Sequence, residues 1–200
     1  QGLDGHGVTY GGSFNVFLGH FVAQHMTSGS YNIAMGGHYG GGAMYNLQDG
    51  LGNVAIGVQS MQGGNTTGQK PEYNVMLGWG AGSGGSLIKT PTYNVGLGYL
   101  ALQKLVDQNF STAVGYQAGR YATGSYNTFV GGEAGQGGTT SAPFSSGANN
   151  TAIGYEALKR FTTGQENTAV GKGALSYVST GGSNIGIGLG AGGNTTTANG

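Results

Sequence analysis

A five-residue pattern recurs ten times along the chain: an Asn, a β-branched residue, a variable position, an aliphatic residue and a Gly. It reads Asn15-Val-Phe-Leu-Gly19, Asn32-Ile-Ala-Met-Gly36, Asn53-Val-Ala-Ile-Gly57, Asn74-Val-Met-Leu-Gly78 and Asn94-Val-Gly-Leu-Gly98. It continues as Ser111-Thr-Ala-Val-Gly115, Asn127-Thr-Phe-Val-Gly131, Asn150-Thr-Ala-Ile-Gly154, Asn167-Thr-Ala-Val-Gly171 and Asn184-Ile-Gly-Ile-Gly188, with successive units starting 16 to 23 residues apart. A period of this size marks stacked supersecondary units, none able to bury its apolar face alone.

With the Asn as position 0, the branched residues at +1 and +3 share one face of a short strand, and +2 and +4 share the other. The +2 residue is Ala or Gly in seven units and the +4 residue is Gly in all ten. This alternation predicts a strand covered on both sides, with the branched face filling a coil and the small face approached by another backbone. A second short strand is expected around +7, at Ala81, Ala101, Ala118, Ala134, Ala157, Ala174 and Ala191, with Val22, Tyr39 and Ser60 there in early units. Each Asn is expected to form a side-chain ladder or a turn at a corner.

The predicted fold is therefore all-β: a parallel β-solenoid or β-roll of about ten rungs over residues 15–192. A connecting segment, 1–14, precedes it and a short tail, 193–200, follows. Three such coils packed about an axis would hide the small face, which predicts a homotrimer, intertwined or side by side. The axis residues would be Phe17, Ala34, Ala55, Met76, Ala113, Phe129, Ala152 and Ala169, with the two Phe as apolar plugs.

Composition sharpens the picture. The 200 residues include 46 Gly, 3 Pro and no Cys, only 7% are charged, and the formal net charge is zero. The scattered basic residues cannot neutralise a row of phosphates, so no nucleic-acid partner is expected. No run of 18 apolar residues occurs, so no membrane insertion is expected. Without Cys there are neither disulfides nor thiolate metal sites. The chain starts without Met or a signal-peptide pattern and reads as a piece of something longer. A surface of Asn, Gln, Ser, Thr, Tyr and Gly suits uncharged, hydroxylated partners such as sugars.

The units Asn-Thr-Ala-Ile-Gly154-Tyr-Glu-Ala-Leu158 and Asn-Thr-Ala-Val-Gly171-Lys-Gly-Ala-Leu175 resemble the repeat regions of bacteriophage tail-fibre and tailspike proteins. They are also similar to the head β-rolls of trimeric autotransporter adhesins. The resemblance covers residues 15–192, and the long, uneven return loops favour the phage fibre. It implies a trimer on a virion tail fibre, or alternatively on a bacterial cell surface, and often a self-cleaving C-terminal chaperone, which would follow Gly200.

Candidate chemistry is sparse. Aromatic residues recur at −1 (Phe14, Tyr31, Tyr73, Tyr93, Phe110, Tyr126) and at +5 (Trp79, Tyr99, Tyr116, Tyr155). Such rings suit sugar platforms, interface anchors or stacking between rungs. The return segments 61–73, 82–93, 103–110 and 136–149 are candidate binding loops, and Phe144 after Pro143 is a plausible anchor. Trp79, Tyr99, Tyr116, Phe144 and Tyr155 are thus the expected receptor contacts. Glu133 and Glu156, at +6 on successive rungs, are the only candidate glycosidase pair, and a solvated corner explains them better. His6, His20, His25 and His38 lack metal-ligand spacing, so neither a metal nor a cofactor is expected. The expected function is non-catalytic attachment to a bacterial surface glycan or outer-membrane protein. The alternatives are an adhesin head or a tailspike depolymerase. An ice-binding solenoid is disfavoured because Thr at +1, present in four rungs, would point inward.

Overall fold

The computed structural model describes residues 12–64, 68–84, 88–138 and 144–194. Among these there is no helix. Ten three-residue strands form one parallel sheet: β1 (Val16–Leu18), β3 (Ile33–Met35), β5 (Val54–Ile56), β6 (Val75–Leu77), β7 (Val95–Leu97), β8 (Thr112–Val114), β9 (Thr128–Val130), β10 (Thr151–Ile153), β11 (Thr168–Val170) and β12 (Ile185–Ile187). Each strand pairs only with those of the preceding and following units, so the ten strands wind through nine turns of a β-solenoid. At the usual spacing between strands the stack is about 43 Å long.

The register is that of the sequence repeat: Ala152 lies between Phe129 and Ala169, and Thr151 between Thr128 and Thr168. The expected second strand at +7 does not form. Those residues lie in a tight turn, where the N–H of Ala81, Ala101 or Ala157 donates to the carbonyl of the +4 Gly. The second ladder instead precedes the corner. It comprises β2 (Ser28–Ser30), paired with β4 (Asp49–Leu51), and then single bridges joining Leu51, Glu72, Thr92 and Asn109. The second unit also differs from the sequence reading. Its +7 role falls to Ala43, whose N–H donates to Gly36, and the intervening residues bulge outward with Tyr39 88% exposed.

The two faces of the sheet are reversed relative to expectation. Residues at +2 point into the chain's own coil: Ala34, Ala55, Met76, Ala113, Phe129, Ala152 and Ala169 are fully buried within a single chain. Phe17, half-buried, packs against the same core. These eight residues therefore line the interior of one coil and not an axis shared by three. The coil is too narrow for two branched rows, so volume at +2 is balanced by the residue at +8 across the lumen. Where +2 is Ala152, +8 is the buried Leu158; where it is Met76 or Phe129, +8 is Gly82 or Gly135. A Cβ on Gly135 would stand 2.2 Å from Phe129, and one on Gly82 would stand 2.9 Å from Met76. Such overlap is intolerable in a packed interior. Consequently Phe129 is no axial plug; it lies against Phe161, ring centroids 5.6 Å apart.

The branched +1 and +3 residues face outward. Val16, Leu18, Ile56, Val130, Ile153, Ile185 and Ile187 are all among the exposed large apolar residues. The Gly at +4 is required by its backbone. At Gly78, Gly98 and Gly115 φ is +135°, +137° and +138°, and a Cβ would meet the carbonyl of the next rung's Gly at 2.4 to 2.5 Å. Only Gly permits that stacking.

Candidate attachment surface

The corner before the strand is held by the Asn ladder. Asn74 Oδ1 accepts from the backbone N–H and the Nδ2 of Asn94, at 3.0 and 2.9 Å. Asn74 Nδ2 donates to Asn53 Oδ1 and to the Pro91 carbonyl, at 3.0 and 2.8 Å. Asn32, Asn53, Asn74, Asn94 and Asn167 are fully buried, so these bonds meet no water. Satisfied amides inside a coil are structural, and none is free to contact a partner. Ser111 breaks the run. Its backbone N–H donates to Asn94 Oδ1 and its Oγ accepts from the Asn127 N–H, but it has no side-chain amide to add a second bond to Asn94 Oδ1.

The ladder carries the −1 aromatics on a strained corner. Tyr31, Tyr73, Tyr93, Phe110 and Tyr126 all adopt left-handed φ between 54° and 60°. Non-glycine residues there cost about 1 kcal/mol or more each. The compensation is regular: the N–H of Tyr73, Tyr93, Phe110 and Tyr126 each bonds a carbonyl of the preceding rung. Their rings also stack. Tyr73, Tyr93, Phe110 and Tyr126 form one column with centroids 5.1 to 5.5 Å apart and planes within 12°. Phe14 and Tyr31 form a shorter column at 5.1 Å, and Gly52 separates the two.

The +5 residues build the second column. Trp79 stacks on Tyr99 at 5.2 Å and Tyr99 on Tyr116 at 5.4 Å, and all three are about half exposed. Gly132 ends the column, and Tyr155 resumes the series one rung later with Lys172 Nζ 5.9 Å from its ring centroid. Stacking turns the ring faces toward one another along the rod. The exposed parts of Tyr99 are therefore its edges, and open faces remain only where a column stops.

The remaining candidates fall out differently. Phe144 does not stand clear of the rod. It lies beside Tyr121, centroids 6.4 Å apart, with Lys104 Nζ 5.2 Å from its ring. Pro143 and His6 lie outside the described residues. Glu133 and Glu156 are brought together, but by Lys159, whose Nζ is 2.5 Å from Glu133 and 2.7 Å from Glu156. The hydrogen bond from Lys159 holds the Glu156 carboxyl below its ordinary range. Burial works against the Lys159 charge, yet its hydrogen bonds to Glu133 and Glu156 raise its pKa. Repulsion from Glu156 and then Glu133 raises that of Tyr155. His20 rests on Phe21 and Tyr39, and His25 Nδ1 bonds Asn46 Oδ1 at 2.7 Å. Among the described residues no three His, Cys, Asp or Glu side chains are placed to share a metal ion.

One feature was missed by sequence reasoning. A shallow depression of about 270 Å³ opens beside β2 and β4, lined by Ser28, Ser30, Asp49, Leu51, Lys70 and Glu72. Its signal was three charges within the return segments of two neighbouring rungs, in a chain that is otherwise nearly uncharged.

No protein-family model, curated protein or solved structure matches the chain. The surface therefore has to be read from its own chemistry. It offers a long apolar strand face, two columns of half-exposed aromatics and very little charge. No helix among the described residues is long and apolar enough to cross a membrane.

Proposed function

We propose that the chain is a homotrimeric attachment segment of a phage tail fibre, binding a bacterial surface glycan or outer-membrane protein without cutting it. The observation that carries this reading is the exposed face of the sheet. Ten outward pairs at +1 and +3, Val75 and Leu77 among them, run the length of the rod. A three-residue strand is about 10 Å long, so this face covers roughly 400 Å². A contiguous apolar patch of this order matches the largest found on typical monomers, which are often functional. A flat stripe that is apolar at +3 in all ten rungs and at +1 in six suits the same stripe on two further copies. The seam is thus assigned to the outward residues, and the aromatic columns flank it at the two corners. These rings and the loops around Phe144 meet the host surface.

The depolymerase alternative loses its only candidate pair. Lys159 bridges Glu133 and Glu156 and ties up an oxygen of each, so the two are not placed as a free nucleophile and a separate proton donor. The adhesin head shares the fold and the seam, and differs in which particle carries the chain.

Adsorption to ice gains one observation from the reversed faces. Thr112, Thr128, Thr151 and Thr168 form an outward row on four consecutive rungs. Val or Ile takes the same position in the other six, which favours the seam. A freezing-point measurement on the purified protein separates the two: thermal hysteresis supports ice, and its absence supports the seam.

Attachment itself is tested by binding of the labelled wild-type protein to bacterial cells and to their extracted polysaccharide. Alanine substitution of Trp79, Tyr116, Phe144 and Tyr155, singly, is expected to weaken binding while thermal melting stays within a few degrees. Full attachment by all four variants would contradict the assignment of the contact surface.

A further inference from the structure

Four of the seven basic residues fall at one place in the repeat, nine or ten residues past its first position: Lys104, Arg120, Lys159 and Arg160. That place lies past the turn that ends each strand, off the +1 and +3 face. Lys159 is held by Glu133 and Glu156, and the other three meet no carboxylate. Among the described residues the only ion pairs are those of Lys159. Asp107, three residues after Lys104, accepts instead from Thr90 Oγ1 at 2.7 Å. We propose that Lys104, Arg120 and Arg160 form a binding row for an acidic polysaccharide, taking the carboxylates of its uronic acid residues. The proposal rests on the attachment reading and narrows the glycan to a class.

Each of the three cations is placed by an aromatic ring. The Arg120 guanidinium lies 4.8 Å from the Tyr121 ring centroid and that of Arg160 lies 4.5 Å from Tyr177. Lys104 Nζ is 5.2 Å from Phe144, which lies beside Tyr121 with the two planes within 13°. A ring attracts a cation to its face without cancelling the charge, as a carboxylate would. A guanidinium stacked in this way still presents its N–H fork in its own plane, and a carboxylate accepts from that fork with both oxygens. The Arg160 side chain is exposed and donates to no described residue. Arg120 commits only Nε, to Gln103 Oε1 at 2.7 Å.

The solenoid sets the cations in line. The backbone N–H of Lys104 donates to the Arg120 carbonyl at 3.1 Å, that of Tyr121 to Gln136 at 2.7 Å and that of Gly137 to Lys159 at 3.0 Å. These bonds join four successive rungs, so the row follows one edge of the rod and suits a polymer with repeated charges. The Lys159 cluster carries one net negative charge beside Arg160, and the three free cations outnumber it. Three cations release too few counterions to hold a nucleic acid. A uronic acid bears its carboxylate directly on the sugar ring. Its apolar C–H groups therefore come to the aromatic side chain that holds the cation.

The test is calorimetric titration of the intact protein at low salt with oligosaccharides of galacturonate, alginate and hyaluronate, and with a neutral maltooligosaccharide of the same length. At least one acidic oligomer should bind the wild type at least tenfold more tightly than the neutral one. Arg120→Gln combined with Arg160→Gln should weaken that binding at least tenfold. Lys70→Gln combined with Lys89→Gln removes the same charge elsewhere and should change it less than twofold. If the arginine pair lowers the melting temperature, Arg160→Gln alone, at an exposed side chain with no hydrogen bond to lose, should still weaken binding at least threefold. Equal weakening by the lysine pair, undiminished binding by the arginine variants, or tighter binding of an oligonucleotide of matched charge overturns the row. A wild type that attaches to cells or polysaccharide but binds none of the three acidic oligomers also overturns it, while the attachment reading stands. A wild type that attaches to neither removes both.

Discussion

Asn74 Oδ1 accepts two hydrogen bonds from Asn94, one from its backbone N–H at 3.0 Å and one from its Nδ2 at 2.9 Å. This double contact recurs from Asn32 to Asn53, Asn53 to Asn74, Asn127 to Asn150, Asn150 to Asn167 and Asn167 to Asn184. It makes each buried amide both a cap for the rung below and a load on the rung above. Asn74→Ala would leave the buried Asn94 backbone N–H without its acceptor, and would take one of two donors from Asn53 Oδ1 and from the Pro91 carbonyl, which keep the backbone N–H groups of residue 74 and Glu72. Each unsatisfied buried group costs about 1–3 kcal/mol. The expected result is a melting temperature lowered by several degrees, measured by circular dichroism.

Ser111 is the weak rung in that ladder. It bonds the Gly124 carbonyl at 3.4 Å, the place where an Asn would put its Nδ2. Ser111→Asn should restore the missing contact with Asn94 Oδ1 and strengthen the one to Gly124. A gain of about 0.5–1.5 kcal/mol is expected from a completed hydrogen bond. Chemical denaturation checks it, and a destabilised variant would show that rung six has no room for the amide.

The ion cluster predicts a pH dependence of definite sign. Glu156 is held below its ordinary pKa of 4.5 through its bond to Lys159, so its contribution is complete above that pH and lost as pH falls through the lowered value. Lys159 is raised above 10.5, so its contribution is complete below that pH and lost as pH rises through the raised value. Lys159→Met should therefore cost the most melting temperature between about pH 5 and 10. As pH falls through the lowered Glu156 value the variant and the wild type should converge. A gap independent of pH would mean that Lys159 acts through packing alone.

The architecture was legible in the sequence because one pattern, Asn through Gly, recurs with little drift. The parallel sheet and its register follow from aligning those units. The direction of the faces was not legible from alternation, since small residues at +2 fit a close approach to another chain as well as a narrow lumen. The information was present elsewhere. Phe129 coincides with Gly135 at +8, Met76 with Gly82, and Ala152 with Leu158, and this exchange of volume identifies two walls of one interior. The aromatic positions were readable as ladders, but their stacking, and hence which faces stay open, depends on the left-handed corner at −1. Nothing in the composition announces that corner. Lys159 sits only three residues beyond Glu156, yet its reach to Glu133 required the stacked rungs.

The reversed faces separate two kinds of substitution. Ala152→Arg would place a charge in the dry lumen of one chain, at a cost of several kcal/mol. It should give misfolded or aggregated material regardless of concentration. A soluble protein with unchanged melting would contradict the inward direction of +2.

Ile153, the next residue, is 41% exposed in the single chain and points the opposite way. The most direct test of the account is the mass in solution of the wild type and of Ile153→Arg, measured by sedimentation equilibrium. The wild type should have three times the mass of one chain, and Ile153→Arg should be a folded species of lower mass with the same β-sheet spectrum. A wild type that sediments as a single chain, or an Ile153→Arg trimer as stable as the wild type, would contradict the seam on which the attachment fibre depends.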